Sequence, residues 1–179
     1  AADASQPLHW IPESTRLDWE AARVDRSAAE VSAGRAVFRR QAQLVGELHA
    51  LGVGLLAGTD TSDEPWVFAG ASLHEELALF VSAGLTPVEA LRTATWNPAR
   101  YRGAPQPEGS IAVGASADLV LLSEDPTMDI RALDSIEGVL LRGRWLDRAE
   151  LDRLLAEATE LAKPADRGLG GARPSASSR

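Results

Sequence analysis

Cysteine is absent from this sequence, and methionine occurs once. No disulfide framework, thiol nucleophile or thiolate metal site can therefore be built. A reducing compartment fits that absence, as does a cysteine-poor exported protein; a cytoplasmic location is the expectation. Histidine is scarce too. His9, His49 and His74 are the full set, and no two stand at i,i+2 or i,i+4, the spacings that pair metal ligands on one element. No apolar run is long enough for a membrane span, so no membrane contact is expected. The opening AADASQPLHW has neither a basic region nor an apolar stretch and does not read as a signal peptide. With Ala1 in place of a starting methionine, the N-terminus is expected to be a processing, cloning or fragment boundary. Positive charge is in deficit: a net charge of −8 opposes binding to a nucleic-acid backbone.

What is present reads as globular. Of the 179 residues, 45% are hydrophobic and 25% charged, a balance that can form a core. Residues 1–30 read as irregular, because Pro7 and Pro12 interrupt regular elements, with Trp10 and Trp19 packing against something larger. A helix is expected over about 31–51, where Val37, Leu44, Leu48 and Leu51 form one apolar stripe and Gly52 ends it. Val53-Gly54-Leu55-Leu56-Ala57 is a short apolar run without alternation, the pattern of a strand buried on both faces. It ends at Gly58-Thr59-Asp60-Thr61. A second helix is expected over about 72–83, with Leu73, Leu77, Phe80 and Val81 inward. A third follows from Thr86-Pro87-x-Glu89, a capping box with proline at the first helical position, and ends near Trp96 because Asn97-Pro98 disfavours continuation.

Beyond that point the pattern changes. Segments 109–114 and 117–122 read as short strands, as do 136–141 and 144–146 around a turn at Arg142-Gly143. A last helix starts at Asp147, with Glu150 completing a capping box and Leu151, Leu154, Leu155, Ala158 and Leu161 along one face. From about Lys163 the Gly, Ala, Pro, Ser and Arg content predicts a disordered tail. Gly168-Leu169-Gly170-Gly171 has no preceding strand and is not a nucleotide motif, so no organic cofactor is expected. One strand buried on both faces needs neighbouring strands, and this sequence offers no other good parallel candidate.

Asp60 is the foremost candidate for chemistry. It lies just past the C-terminal end of the 53–57 run, where α/β barrels carry their catalytic groups, and a carboxylate there can hold a divalent cation or accept a proton from water. The structural alternative is an aspartate capping a turn. Asp63 and Glu64 join Asp60 in an acidic cluster; paired carboxylates of a glycosidase would look like this, as would a solvated loop. His74-Glu75-Glu76 reads as a polar first helical turn favoured by the helix dipole, with His74 a residue that could face the cleft. His49, late in its helix, is expected to have a structural or solvent role, and His9 carries no signal.

Leu55-Leu56-Ala57-Gly58-Thr59-Asp60 resembles the last barrel strand of the amidohydrolase superfamily. Leu73-His74-Glu75-Glu76-Leu77, Ala83-Gly84-Leu85-Thr86-Pro87, Glu89-Ala90-Leu91 and Thr95-Trp96-Asn97-Pro98-Ala99 are similar to the helices that follow it. Gly109-Ser110-Ile111, Gly114, Ala117-Asp118-Leu119-Val120, Asp125-Pro126 and Val139 to Gly143 resemble the C-terminal β segment. Together the blocks run over roughly residues 44–146, and the imidazolonepropionase-like and prolidase-like branch is the most similar. The resemblance implies an α/β fold: the C-terminal part of a (β/α)8 TIM barrel over 1–104, part of a small β-sandwich over 105–146, a helix over 147–162 and the tail over 163–179. It implies hydrolysis of a C–N bond in a small-molecule amide, cyclic amide or dipeptide. It also implies a divalent metal, zinc foremost, with Asp60 as ligand and proton acceptor.

The family's other ligands are a His-x-His pair, commonly a modified lysine, and histidines on strands five and six. None has a counterpart here, and a full barrel takes about 250 residues. The isolated chain is therefore expected to be incompetent. The alternative is a non-catalytic subunit or relic that docks onto a separate chain bearing the rest of the barrel. Oligomers are compatible with either.

Overall fold

A computed structural model describes residues 7–61, 65–103 and 108–163. The expected tail, the Asp63-Glu64 pair and the 104/105 boundary fall outside them. Helices α1 (Glu13–Ala21), α2 (Ala28–Ala50), α3 (Ala71–Ser82), α4 (Pro87–Ala94) and α5 (Trp96–Tyr101) precede a sheet of β1 (Leu119–Leu122), β2 (Ile136–Leu141) and β3 (Arg144–Asp147); α6 (Arg148–Ala162) closes the chain. Short 3-10 turns occupy Pro7–Trp10 and Ile130–Asp134. Among the described residues no helix is long and apolar enough to cross a membrane.

From Pro7 to residue 30 the chain carries a 3-10 turn, α1 and the start of α2 rather than irregular structure throughout. Pro7 and Pro12 sit at the starts of helical turns, where a missing N–H costs nothing, rather than inside them. Ser27 then caps α2 in a box with Glu30. Trp19 meets Trp66 and Phe68 with ring centroids 5.7 and 5.9 Å apart, in tilted and edge-on geometries.

The core is small and lies where α3, α4 and the 130–134 turn meet. Leu77, Ala90 and Ile130 are buried at its centre, and Ala57, Phe80, Val81, Leu91 and Leu133 pack around them. The stripe expected on α3 is therefore the one it buries. Gly46 lets α2 approach the end of α3 closely: a Cβ there would lie 2.1 Å from the Ala83 carbonyl oxygen. The stripe expected on α2 is largely uncovered, with Val37 58% and Leu51 81% exposed, because only the C-terminal part of the helix meets other described elements. On α6, Leu161 points to solvent and Ala162 is buried instead. Asp147 does cap α6 by accepting from the Glu150 N–H at 2.8 Å. The return half of the box is absent, because the Glu150 carboxylate pairs with Arg144 and Arg153.

The sheet runs β1-β2-β3, antiparallel throughout. The turn at Arg142-Gly143 joins β2 to β3 as expected, with φ of 51° and 80°, the left-handed geometry of a two-residue hairpin. Asp118 secures it: the Arg142 N–H donates to its carboxylate at 2.7 Å, and Ser116 Oγ at 3.0 Å. These bonds hold the Asp118 carboxyl below its ordinary value, the Arg142 N–H foremost.

Two expected strands do not form. Segment 109–114 forms no strand, and Ile111 and Val113 lie open to solvent; an apolar run becomes a strand only when a neighbouring strand takes its backbone. Segment 53–57 is likewise unassigned to any sheet. From Leu55 to Asp60 its burial alternates, with Leu55, Ala57 and Thr59 half-buried and Leu56, Gly58 and Asp60 exposed. It is an extended segment covered on one side, not two. The third helix also differs: α4 stops at Ala94, Thr95 breaks the chain direction, and α5 restarts at Trp96 with Pro98 in its first turn. The described residues thus form an α/β unit with a small antiparallel sheet. No closed barrel and no second sandwich layer is present among them.

Candidate active site

Asp60 ends the extended segment, and the elements after it hold that segment in place. On one side, the Ala57 N–H donates to the Thr93 carbonyl of α4 at 3.0 Å, and Asn97 Nδ2 of α5 donates to the Leu55 carbonyl at 2.8 Å. On the other, the Gly58 N–H donates to both carboxylate oxygens of Glu76 on α3, each at 3.0 Å. Successive N–H groups pointing to opposite sides are what extended backbone requires. Thr59 and Thr61 share a hydroxyl hydrogen bond of 2.5 Å across Asp60. Asp60 itself is exposed and left-handed, with φ 53°, a conformation that suits aspartate better than most side chains.

Sequence reasoning places Glu76 on the right helix but leaves Asn97 beyond a helix end, and it gives neither a task. Glu76 reads as a dipole-favoured residue of the first turn and Asn97 as a helix breaker. Their partners, Gly58 and Leu55, lie 18 and 42 positions away. The one usable signal is the presence of apolar and small residues around both in otherwise polar turns.

His74 Nδ1 lies 3.0 Å from Asp134 Oδ1, which ties α3 to the 130–134 turn. His49 Nε2 lies 3.3 Å from Glu89 and joins the end of α2 to the start of α4, the structural role expected of it. The Glu89 carboxyl is held below its ordinary value by the Thr86 N–H foremost, then the Thr86 hydroxyl, with His49 a smaller contributor. His9 is exposed in its 3-10 turn. A shallow cavity of about 250 Å³ opens at the other end of the extended segment, lined by His49, Gly52, Glu89, Arg92, Thr93 and Asn97; Asp60 is not part of it.

Among the described residues, no three His, Cys, Asp or Glu side chains converge to hold a metal ion. One exposed carboxylate is not a divalent site, so the described residues alone do not fit the metal that the resemblance implies. Asp60 can act as a hydrogen-bond acceptor or a base.

A model described as the amidohydrolase family matches residues 5–146. The chain belongs to the amidohydrolase family. Over 107 residues this amidohydrolase chain is 36% identical to adenine deaminase 3 of Rhizobium meliloti (strain 1021), covering 60% of the chain and 17% of that protein. A solved bottromycin amidohydrolase superposes with a TM-score of 0.72 at 30% identity, over 89% of this chain and 36% of its own. A crystal structure from Bifidobacterium longum designated a prolidase gives a TM-score of 0.52 at 36% identity, over 64% and 29%. The amidohydrolase chain spans only 17% to 36% of the length of these proteins.

Proposed function

We propose that this chain supplies the last strand-to-helix unit of a (β/α)8 amidohydrolase that hydrolyses a C–N bond, with Asp60 as its contribution to the catalytic centre. The observation that carries the reading is the position of Asp60. It stands exposed at the C-terminal end of an extended segment whose backbone is held by α3, α4 and α5, the place where barrel enzymes present catalytic groups. The names of the relatives, adenine deaminase and bottromycin amidohydrolase, support hydrolytic C–N cleavage as the reaction class. The substrate class is a small-molecule amide, cyclic amide or dipeptide.

In that reaction the Asp60 carboxylate takes the proton from the attacking water as the C–O bond forms. It returns the proton to the nitrogen as the C–N bond breaks. The family resemblance implies a divalent cation, zinc foremost, at the complete site; Asp60 would be one of its ligands, and the cation would supply Lewis-acid chemistry there. His74 is the second side chain offered to the cleft, within the limit that its Nδ1 is engaged by Asp134.

A second reading, a non-catalytic subunit docking onto a separate chain that bears the rest of the barrel, is favoured by one feature. Among the described residues the backbone of Gly54 and Leu56 has no partner on the side away from α4, an open edge within that set. The test is to assay this chain alone, and joined to or mixed with the polypeptide carrying the preceding strands, against acyl amides, cyclic amides, dipeptides and adenine. The hydrolase reading expects activity only in the joined or mixed sample, lost on Asp60→Asn. A stable complex whose hydrolysis ignores Asp60→Asn would leave the subunit reading standing alone.

A further inference from the structure

Glu76 has a place in the geometry that no reading of its helix explains. Its carboxylate lies in α3's second turn, and among the described residues it makes no ion pair. Both its oxygens accept from one donor, the Gly58 N–H. That donor belongs to the same side of the extended segment as the open Gly54 and Leu56 groups, because alternate residues of extended backbone face the same way. A strand laid along this edge can pair at Gly54 and Leu56 and must stop there, since the next donor is already taken. Two residues later the chain leaves the extended conformation altogether, at Asp60 with φ 53°.

We propose that Glu76 is the positioning residue of the Asp60 site: by taking the Gly58 N–H its carboxylate limits any strand laid along this edge to Leu56 and so fixes where the backbone turns Asp60 out of the extended segment. The inference rests on the reading of Asp60 given above for its catalytic meaning, but not for its geometry. Three particulars support it. The bond is charge-assisted, and such bonds are stronger and more directional than neutral ones. Its donor is an exposed glycine amide that no backbone acceptor takes. Glu76 is itself flanked by anchored residues: His74 pins the first turn to Asp134 at 3.0 Å, and Leu77, the next residue, is buried in the core. The carboxylate is therefore aimed by packing rather than free to swing.

The experiment is amide hydrogen exchange and carbon-13 carboxyl NMR on the full chain, in Glu76→Ala and Glu76→Gln. Glu76→Ala is expected to speed exchange at Gly58 about tenfold, the factor of one charge-assisted hydrogen bond, and to shift the Asp60 carboxyl resonance. Leu77, Ala90 and Ile130 amides keep their rates. Glu76→Gln retains an acceptor of the same length and restores most of the Gly58 protection. Unchanged Gly58 exchange in Glu76→Ala overturns the proposal. So does a uniform acceleration that includes the core amides, since Glu76 would then stabilise α3 as a whole. If Gly58 and Asp60 respond as expected while Asp60→Asn leaves hydrolysis by the joined protein intact, the positioning geometry stands and the catalytic reading falls.

Discussion

Asp60 and Arg142 share almost the same backbone angle, φ 53° and 51°, and the surroundings of each explain it differently. Arg142 is the first residue of a two-residue hairpin turn, Gly143 beside it is left-handed as well, and the strands on either side are in register. The turn demands that angle, whatever side chain occupies it. Asp60 has no hairpin around it. The angle arises where the extended segment ends, and the side chains that hold that segment come from α3 and α5. In the sheet region the backbone ladder sets the geometry. In the helical region side chains do, through Glu76, Asn97 and the small core behind them. The first arrangement builds scaffold and the second presents a carboxylate to solvent.

The largest test of this contrast is Asp60→Asn in the joined, active protein. A fall in kcat of about a hundredfold or more is expected, the range of general acid–base catalysis, with the thermal midpoint unchanged. Retained activity would make Asp60 no different in kind from Arg142. Next is Gly46→Ala, which drives a methyl group onto the Ala83 carbonyl oxygen, a backbone atom that cannot yield cheaply. A loss of about 1–3 kcal/mol is expected in a denaturant titration, despite alanine's better helix propensity.

A paired exchange to glycine sharpens the comparison further. Arg142→Gly and Asp60→Gly should each relieve left-handed strain of about 1 kcal/mol. The first should leave activity unchanged, and the second should abolish it. Equal effects on activity would remove the distinction between the two positions. The smallest effect concerns the hairpin lock. The Asp118 carboxyl is lowered from 3.8, so the bound state favours the charged form. Its contribution is complete above about that ordinary value and is lost as pH falls through the lowered one. Amide exchange at Arg142 should accelerate below that range in the native protein, and Asp118→Asn should remove the pH dependence.

Helix starts were the most legible feature, because a cap is a local chemical object. Thr86 and Asp147 each sit where their side chain meets an N–H three residues on; Ser27 does so too, although residues 1–30 read as irregular. Prolines were ambiguous, since the same residue that breaks a helix interior also begins one, and α1 and α5 both start on the side that the breaker reading excludes. Apolar runs were the least reliable. Leu55 to Ala57 and Ile111 to Val113 have strand composition, but a strand is a relation between two segments, and neither run has its partner among the described residues. The same division holds at the site. Asp60 could be named from the run that precedes it. Glu76 could not, since its meaning depends on Gly58, which approaches only when α3 folds back over Ala57.

Family membership, the cap positions and the candidacy of Asp60 therefore belong to the amino-acid sequence, because each rests on residues close together along the chain. Which groups hold Asp60, which side of the 53–57 segment stays open, and where the sheet ends were set by folding. Those outcomes depend on donors and acceptors brought together across tens of residues, and no local pattern states which pairs will meet.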